Sequence, residues 1–256
     1  MKYDLKDCTF LIPVRLDSID RLVNLRAILI FLEQHFETNI HILEADRYNT
    51  KLIQGIISSN VKYSFIKDYD PIFHRTMYIN KMVRDSHTSI VSVWDTDVII
   101  PPHQVVKSID LLRNNKNDFV TPYMKKFLDV PKIIGELFFK SKDWQLLEKH
   151  KNKMKLLYRP NPVGGAFFAQ KKEYIESGLE NTNFYGWGIE DGERVNRWIK
   201  LGYRFSQVEG PLFHLTHSRG SNSVFHSVDQ RKRKTNEFNR ICSLTKEELE
   251  KEIANW

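Results

Sequence analysis

The sequence predicts an α/β fold, a mostly parallel central sheet flanked by helices in a single domain of two abutting lobes. Three observations carry this expectation. Short apolar, β-branched runs alternate with helix-patterned segments through the first half of the chain, the order in which helical crossovers bring parallel strands together. Several of those runs stop at a proline or an acid rather than fading into a loop. No Gly/Ser linker, repeat or low-complexity segment divides the 256 residues, so one large domain is expected.

The elements follow in order. Residues 8–15 form an apolar strand ending at Pro13 and Arg15, and residues 18–35 place Ile19, Leu22, Leu25, Ile28, Leu29 and Leu32 at helical spacing behind a Ser18 or Asp20 cap. Strands are expected at 39–44, with Glu44 and Asp46 at its end, at 61–66 and at 90–94, with a helix over 73–84 between the last two. A helix runs from Pro102 to about Asn114, and 118–122 is a further short strand. Residues 124–160 are lysine-rich with one helix near 144–150; they read as a solvated surface or as a basic rim for an anionic or lipid-phosphate acceptor. Residues 161–169 set Gly164 and Gly165 against an apolar strand, 172–177 make a short helix closed by Gly178, 190–201 a longer one, and 204–208 a strand. Thr245 and Glu248 form a capping box for a terminal helix. The lobes divide at residue 120, as 1–120 and 121–256.

Composition narrows the partners. A surplus of 39 basic over 32 acidic residues, net +7, favours anionic ligands. Two cysteines do not make a disulfide framework. The acidic first residues and the lack of a long apolar run make a cytoplasmic protein the expectation. The run Arg231-Lys232-Arg233-Lys234 lacks interleaved aromatics, which argues against nucleic acid and for contact with an anionic membrane surface.

The chemistry is expected at three clusters. Asp95-Thr96-Asp97 ends a buried strand in two like charges, a costly arrangement that a divalent metal carrying a phosphorylated ligand would resolve. In open α/β sheets ligands bind beyond the carboxyl ends of strands, so Arg15, Glu44, Asp46, Asp95 and Asp97 are expected to face one crevice. His214 and His217, at His-x-x-His spacing, add imidazoles to Asp97 and give a mixed O/N shell that suits Mn²⁺ and admits Mg²⁺. Trp187, between Gly186 and Gly188, reads as an exposed stacking platform for a sugar, with Glu190 and Asp191 at the start of the helix behind it.

In chain order, Ile12-Pro13-Val14-Arg15, Phe73-His74-Arg75 with Asn80, Asp95-Thr96-Asp97, Gly164-Gly165-Ala166, Gly186-Trp187-Gly188-Ile189-Glu190-Asp191 and His214-Leu215-Thr216-His217-Ser218-Arg219 resemble the metal-dependent GT-A glycosyltransferases. The second half is similar to the β-1,4-galactosyltransferase family (glycosyltransferase family 7) and the related galactosyltransferase C-terminal domain. The resemblance implies a Rossmann-like GT-A fold with a nucleotide-sugar lobe at 1–120 and an acceptor-binding and catalytic lobe at 121–256. It implies donor contacts from Pro13, Val14, Arg15, Arg75, Asp95, Asp97, Gly165 and Trp187, and metal ligation by Asp97 and His217, with His214 standing where vertebrate enzymes have Met. Trp187, Glu190 and Asp191 would meet the acceptor, and Asp191 would be the catalytic base. The implied activity is inverting transfer of a hexose, galactose or N-acetylgalactosamine, from a UDP-sugar to a glycan or lipid-linked saccharide of a bacterial surface polysaccharide. The alternative is an inactive UDP-sugar or glycan-binding protein of the same fold. Ile189 replaces a family glycine, Gly192 a family acid and Pro162-Val163 an aromatic pair, so the donor sugar and the acceptor stay open.

Overall fold

A computed structural model describes residues 1–158 and 161–256. The strands are β1 (Tyr3–Val14), β2 (Phe36–Asp46), β3 (Val61–Lys67), β4 (Ile90–Trp94), β5 (Val98–Ile99), β6 (Phe119–Thr121), β7 (Lys126–Val130), β8 (Lys155–Leu156), β9 (Ala166–Gln170), β10 (Phe205–Gln207) and β11 (Pro211–Leu215). The helices are α1 (Ile19–His35), α2 (Arg75–Asp85), α3 (Pro102–Arg113), α4 (Lys132–Ser141), α5 (Gln145–Lys149), α6 (Lys171–Glu176), α7 (Glu190–Leu201), α8 (Val228–Ser243) and α9 (Lys246–Ile253). Seven strands form one sheet in the order β10-β6-β9-β4-β1-β2-β3, and four form a second, β5-β11-β7-β8. In the larger sheet β4, β1, β2 and β3 run parallel, as do β6 and β10. β9 alone among them is antiparallel, to β4 and to β6. The large sheet therefore takes β9 and β10 from the second half of the chain.

Local chemistry explains the main elements. Ser18 caps α1 by accepting the Arg21 amide at 3.2 Å, and the apolar stripe Leu25, Ile28, Leu29, Leu32 is buried on the sheet. Phe10 on β1, Trp94 on β4 and Phe168 on β9 meet edge to face, with centroids 5.2–6.1 Å apart. Each such pair of rings adds roughly 0.5–1.5 kcal/mol beyond its area burial. Their contacts thus help fix the register in which Trp94 faces Ala166. On the opposite side Phe119 stacks flat on Trp198 of α7 at 3.8 Å, which seats that helix on the sheet.

Besides the helix expected near 144–150, the stretch 124–158 carries β7, α4 and β8, and Phe127, Leu128, Val130, Ile134, Phe138 and Leu147 enter the main core; residues 159 and 160 of the lysine-rich segment lie outside the described residues. Apolar residues at strand and helix spacing hold it down while the lysines project outward. The run 231–234 lies within α8, with its fourth residue, Lys234, turned inward and buried. Among the described residues, no helix is long and apolar enough to cross a membrane.

Candidate active site

The site forms where the chain leaves one sheet for the other. β4 ends at Trp94 in the large sheet and β5 begins at Val98 in the small one, so Asp95, Thr96 and Asp97 are the turn between sheets. The Asp95 amide is pinned to Gly165 O at 2.9 Å, continuing the β4–β9 ladder. On the other side Leu215 donates its amide to Asp97 O at 2.7 Å, and β11 pairs with β5 so that His214 faces Val98. The ladder thus delivers His214 to Asp97. It places Asp129 of β7 on the other flank, opposite His214 in the parallel register.

The donor set is oriented from behind. His214 Nδ1 donates to Asp129 Oδ1 at 2.9 Å, and the same oxygen accepts the Thr216 hydroxyl at 2.8 Å. His217 Nδ1 donates to Ser218 O at 2.8 Å. Both imidazoles therefore turn Nε2 toward Asp97, at 3.9 Å for His214 and 3.1 Å for His217. One ligand atom from each of the three residues lies within 4.8 Å of the others. A tautomer fixed by a carboxylate or carbonyl behind each ring is what imidazole metal ligands need. Burial alone would raise Asp97, but the two histidines hold its carboxyl down to about 2. The Asp97 hydrogen bond holds the His217 imidazole above its usual range against the effect of burial. Three convergent donors of O and N type fit a divalent first-row ion better than Ca²⁺, which takes oxygen alone.

The second cluster is anchored on a buried arginine. Arg194 Nη1 bonds both oxygens of Glu180, at 2.9 and 3.0 Å, its guanidinium lies over Phe167 at 4.2 Å, and its Nη2 holds Asp191 Oδ1 at 2.6 Å. The second Asp191 oxygen reaches the backbone of Gly164: a Cβ there would stand 3.0 Å from Asp191 Cγ and closer still to Oδ2. Burial pushes the Asp191 carboxyl up, yet Arg194 and Arg75 bring it below its ordinary range, so it is ionised. Its side chain remains a third exposed. Next to it Glu190 is almost closed off; burial and Asp191 lift it to about 7. Glu190 Oε2 has no hydrogen-bond partner, nor does Nη1 of Arg75, which stands 3.9 Å from Glu190 Oε1. Arg75 donates from Nη2 to Asp95 Oδ1 at 2.6 Å. Burial raises the Asp95 carboxyl, with Arg75 opposing.

The twelve residues to which the family resemblance gave roles, Pro13, Val14, Arg15, Arg75, Asp95, Asp97, Gly165, Trp187, Glu190, Asp191, His214 and His217, line one cleft of about 590 Å³, within the usual range for ligand sites. Glu44 and Asp46 do not line it. Glu44 is buried and accepts the Tyr63 hydroxyl at 2.5 Å, while Asp46 takes the Arg47 amide at 2.6 Å. Arg15 borders the cleft but is committed, donating to Ala45 O, Asp70 O and Asp68 Oδ2 at 2.5–2.8 Å. Trp187 is half-buried rather than exposed, its edge packed on Phe225 at 5.4 Å with Arg219 over the ring at 5.8 Å. Ile189 has φ 77, the conformation glycine adopts freely and a β-branched residue does not.

The sequence reading did not pick out Arg21, Asp129, Glu180, Arg194, Phe225 or Lys234. Arg194 had a local signal, since it follows Asp191 by one helical turn. Asp129 and Lys234 reach the site only through tertiary pairing.

A family model described as the N-terminal domain of galactosyltransferase matches residues 148–219, the segment holding Gly164-Gly165, Gly186 to Asp191 and the two histidines. No curated protein sequence matches the chain. Among solved structures, the catalytic domain of Drosophila β1,4-galactosyltransferase 7 in complex with xylobiose superposes with TM-score 0.57 at 14% identity, over 91% of this chain and 79% of that one. A mutant of the same enzyme, solved with manganese, UDP-Gal and xylobiose, gives TM-score 0.55 at 14% identity, over 90% and 80% of the two chains. Glucosyl-3-phosphoglycerate synthase from Mycobacterium tuberculosis, in complex with Mn²⁺, UDP and phosphoglyceric acid, gives 0.53 at 15% identity, over 94% and 80%. The fold is therefore that of the GT-A glycosyltransferases, in a galactosyltransferase-like form.

Proposed function

We propose that this protein is a metal-dependent glycosyltransferase that moves a hexose from a UDP-sugar to a hydroxyl of a glycan or lipid-linked saccharide acceptor, with inversion. The observation that carries the reading is the convergence, in one cleft, of an Asp97/His214/His217 donor set with an ionised, partly open Asp191. The solved neighbours that hold Mn²⁺ with UDP or UDP-Gal support the same ligands here.

In this reading residues 1–120 supply the nucleotide-sugar lobe, with Pro13, Val14, Arg15, Arg75 and Asp95 along the donor. Asp97, His214 and His217 would hold Mn²⁺, with Mg²⁺ as the second choice; bound there, the ion would offset charge on a leaving diphosphate. Residues 121–256 supply the acceptor side. The acceptor oxygen forms its bond to the anomeric carbon as the bond from that carbon to the diphosphate oxygen breaks, and the hydroxyl proton passes to Asp191 Oδ2, the oxygen not occupied by Arg194. General-base assistance of this kind is typically worth about 10²–10⁴-fold. Glu190, with an unpartnered buried oxygen, accepts sugar hydroxyls, and Trp187 and Gly165 border the donor sugar.

Galactose and N-acetylgalactosamine are the favoured donors, and a role in bacterial surface polysaccharide synthesis at the cytoplasmic face of a membrane fits the basic balance. UDP release measured with Mn²⁺ across UDP-galactose, UDP-N-acetylgalactosamine, UDP-glucose and UDP-N-acetylglucosamine tests the activity; turnover of none, with UDP still bound, would mark an inactive binding protein. Sedimentation with liposomes, with and without anionic lipid, tests the membrane contact.

A further inference from the structure

Lys234 closes a four-residue basic run, yet it does not behave as a surface lysine. Arg231, Lys232 and Arg233 are exposed, while Lys234 is 2% exposed. Burying an ammonium costs several kcal/mol unless it is paired and hydrogen-bonded. Its Nζ donates to Trp187 O at 2.7 Å; among the described residues no carboxylate lies within 4.0 Å of it, and the charge that acts on it is that of Glu190, three residues on from Trp187. One turn earlier Gln230 donates to Tyr185 O at 3.1 Å. Just before the helix, Phe225 packs against the Trp187 ring and so close to Gly188 that a Cβ there would lie 3.0 Å from its Cζ.

The loop so gripped has need of it. Gly186, Gly188 and Ile189 all have positive φ, of 80, 102 and 77. A β-branched residue in that region is strained and persists only when its surroundings impose it. α8 and Phe225 supply that constraint from beyond residue 219, where the family match ends.

We propose that Lys234 is a positioning residue of the transfer reaction, fixing the Trp187 carbonyl and standing as countercharge to the Glu190 carboxylate that receives sugar hydroxyls. The role in transfer rests on the glycosyltransferase reading above; the Lys234–Glu190 pairing does not. The charged groups facing Glu190 are Asp191 on its own helix, Arg75 on α2 and Lys234 on α8. Burial and Asp191 drive Glu190 upward while Arg75 and Lys234 oppose them; burial draws Lys234 down to about 8, with Glu190 opposing.

The test uses the full chain as wild type, Lys234→Met, Lys234→Arg and Glu190→Gln. Carbon-13 NMR of labelled glutamate, with Glu190 assigned by its loss in Glu190→Gln, reads the carboxyl midpoint without turnover. Lys234→Met should raise that midpoint by about one unit or more, and Lys234→Arg should restore it. The acid limb of the transfer pH profile should move up with it. Labelled lysine gives the reciprocal readout, a lower Lys234 midpoint in Glu190→Gln, which decides the matter should Lys234→Met fail to fold. Unchanged midpoints in both directions would overturn the pairing. A shifted midpoint with a superimposable pH profile would overturn the role in transfer. Absence of Mn²⁺-dependent UDP binding by the wild type would instead defeat the glycosyltransferase reading while leaving the NMR result to decide the pairing.

Discussion

Replacing Gly164 with Ala probes the base without touching it. The added methyl would sit 3.0 Å from Asp191 Cγ and nearer to Oδ2, well inside ordinary van der Waals separation of about 3.5–4.0 Å. Asp191 cannot simply swing aside. Its Oδ1 is tied at 2.6 Å to Arg194, which is locked in turn to both oxygens of Glu180. Breaking a hydrogen bond to a charged group costs about 1.5–3 kcal/mol. Either the carboxylate leaves Arg194 or the backbone at 164 retreats, and both move Oδ2 from the cleft position proposed for it. The expected loss in transfer is about 10²–10⁴-fold, the worth of a general base, with Mn²⁺-dependent UDP affinity within a few-fold of wild type. Steady-state UDP release, paired with calorimetric UDP titration and thermal melting, reads each quantity separately. The double variant with Asp191→Asn should lose little more than either single change, because both remove the same function. Near-normal transfer by a folded Gly164→Ala protein would refute the assignment of Asp191 Oδ2 as proton acceptor.

Three further outcomes are expected. Asp129→Ala removes the oxygen that fixes the His214 tautomer and should weaken Mn²⁺ binding about 10–100-fold, read by the EPR signal of free Mn²⁺. Glu180→Ala leaves Arg194 buried with half its partners gone and should cost roughly 3–5 kcal/mol in urea unfolding; a loss within experimental error would show that Asp191 alone satisfies the guanidinium. For the metal-free protein, His217 has a folded pKa raised by Asp97. Its contribution to stability is complete below the unfolded value near 6.5 and is lost as pH rises through the folded value. Melting temperature should therefore fall over that interval in wild type and fall less in His217→Gln.

Much of the framework was legible because it is local. The apolar runs at β1, β2 and β4, the Ser18 and Thr245 caps and the Glu190–Leu201 helix are written in periodicity and capping residues that act within one or two turns. The crevice rule brought Arg15, Asp95 and Asp97 together correctly. It failed for Glu44 because Tyr63 on the neighbouring strand donates its hydroxyl to that carboxylate and holds it within the sheet. What could not be read was the small sheet: β5 has two residues and β7 lies among lysines, yet their pairing with β11 is what sets His214 between Asp97 and Asp129. Lys234 was hidden for the same reason, since nothing in a basic run tells which lysine faces inward.

The most direct test of the central claim is a calorimetric titration of UDP into wild-type and Asp97→Ala protein, with and without Mn²⁺. The convergence of Asp97, His214 and His217 predicts UDP binding that requires Mn²⁺ in the wild type and is lost in an Asp97→Ala protein that still melts cooperatively. UDP affinity indifferent to the metal, or retained in full by Asp97→Ala, would contradict it.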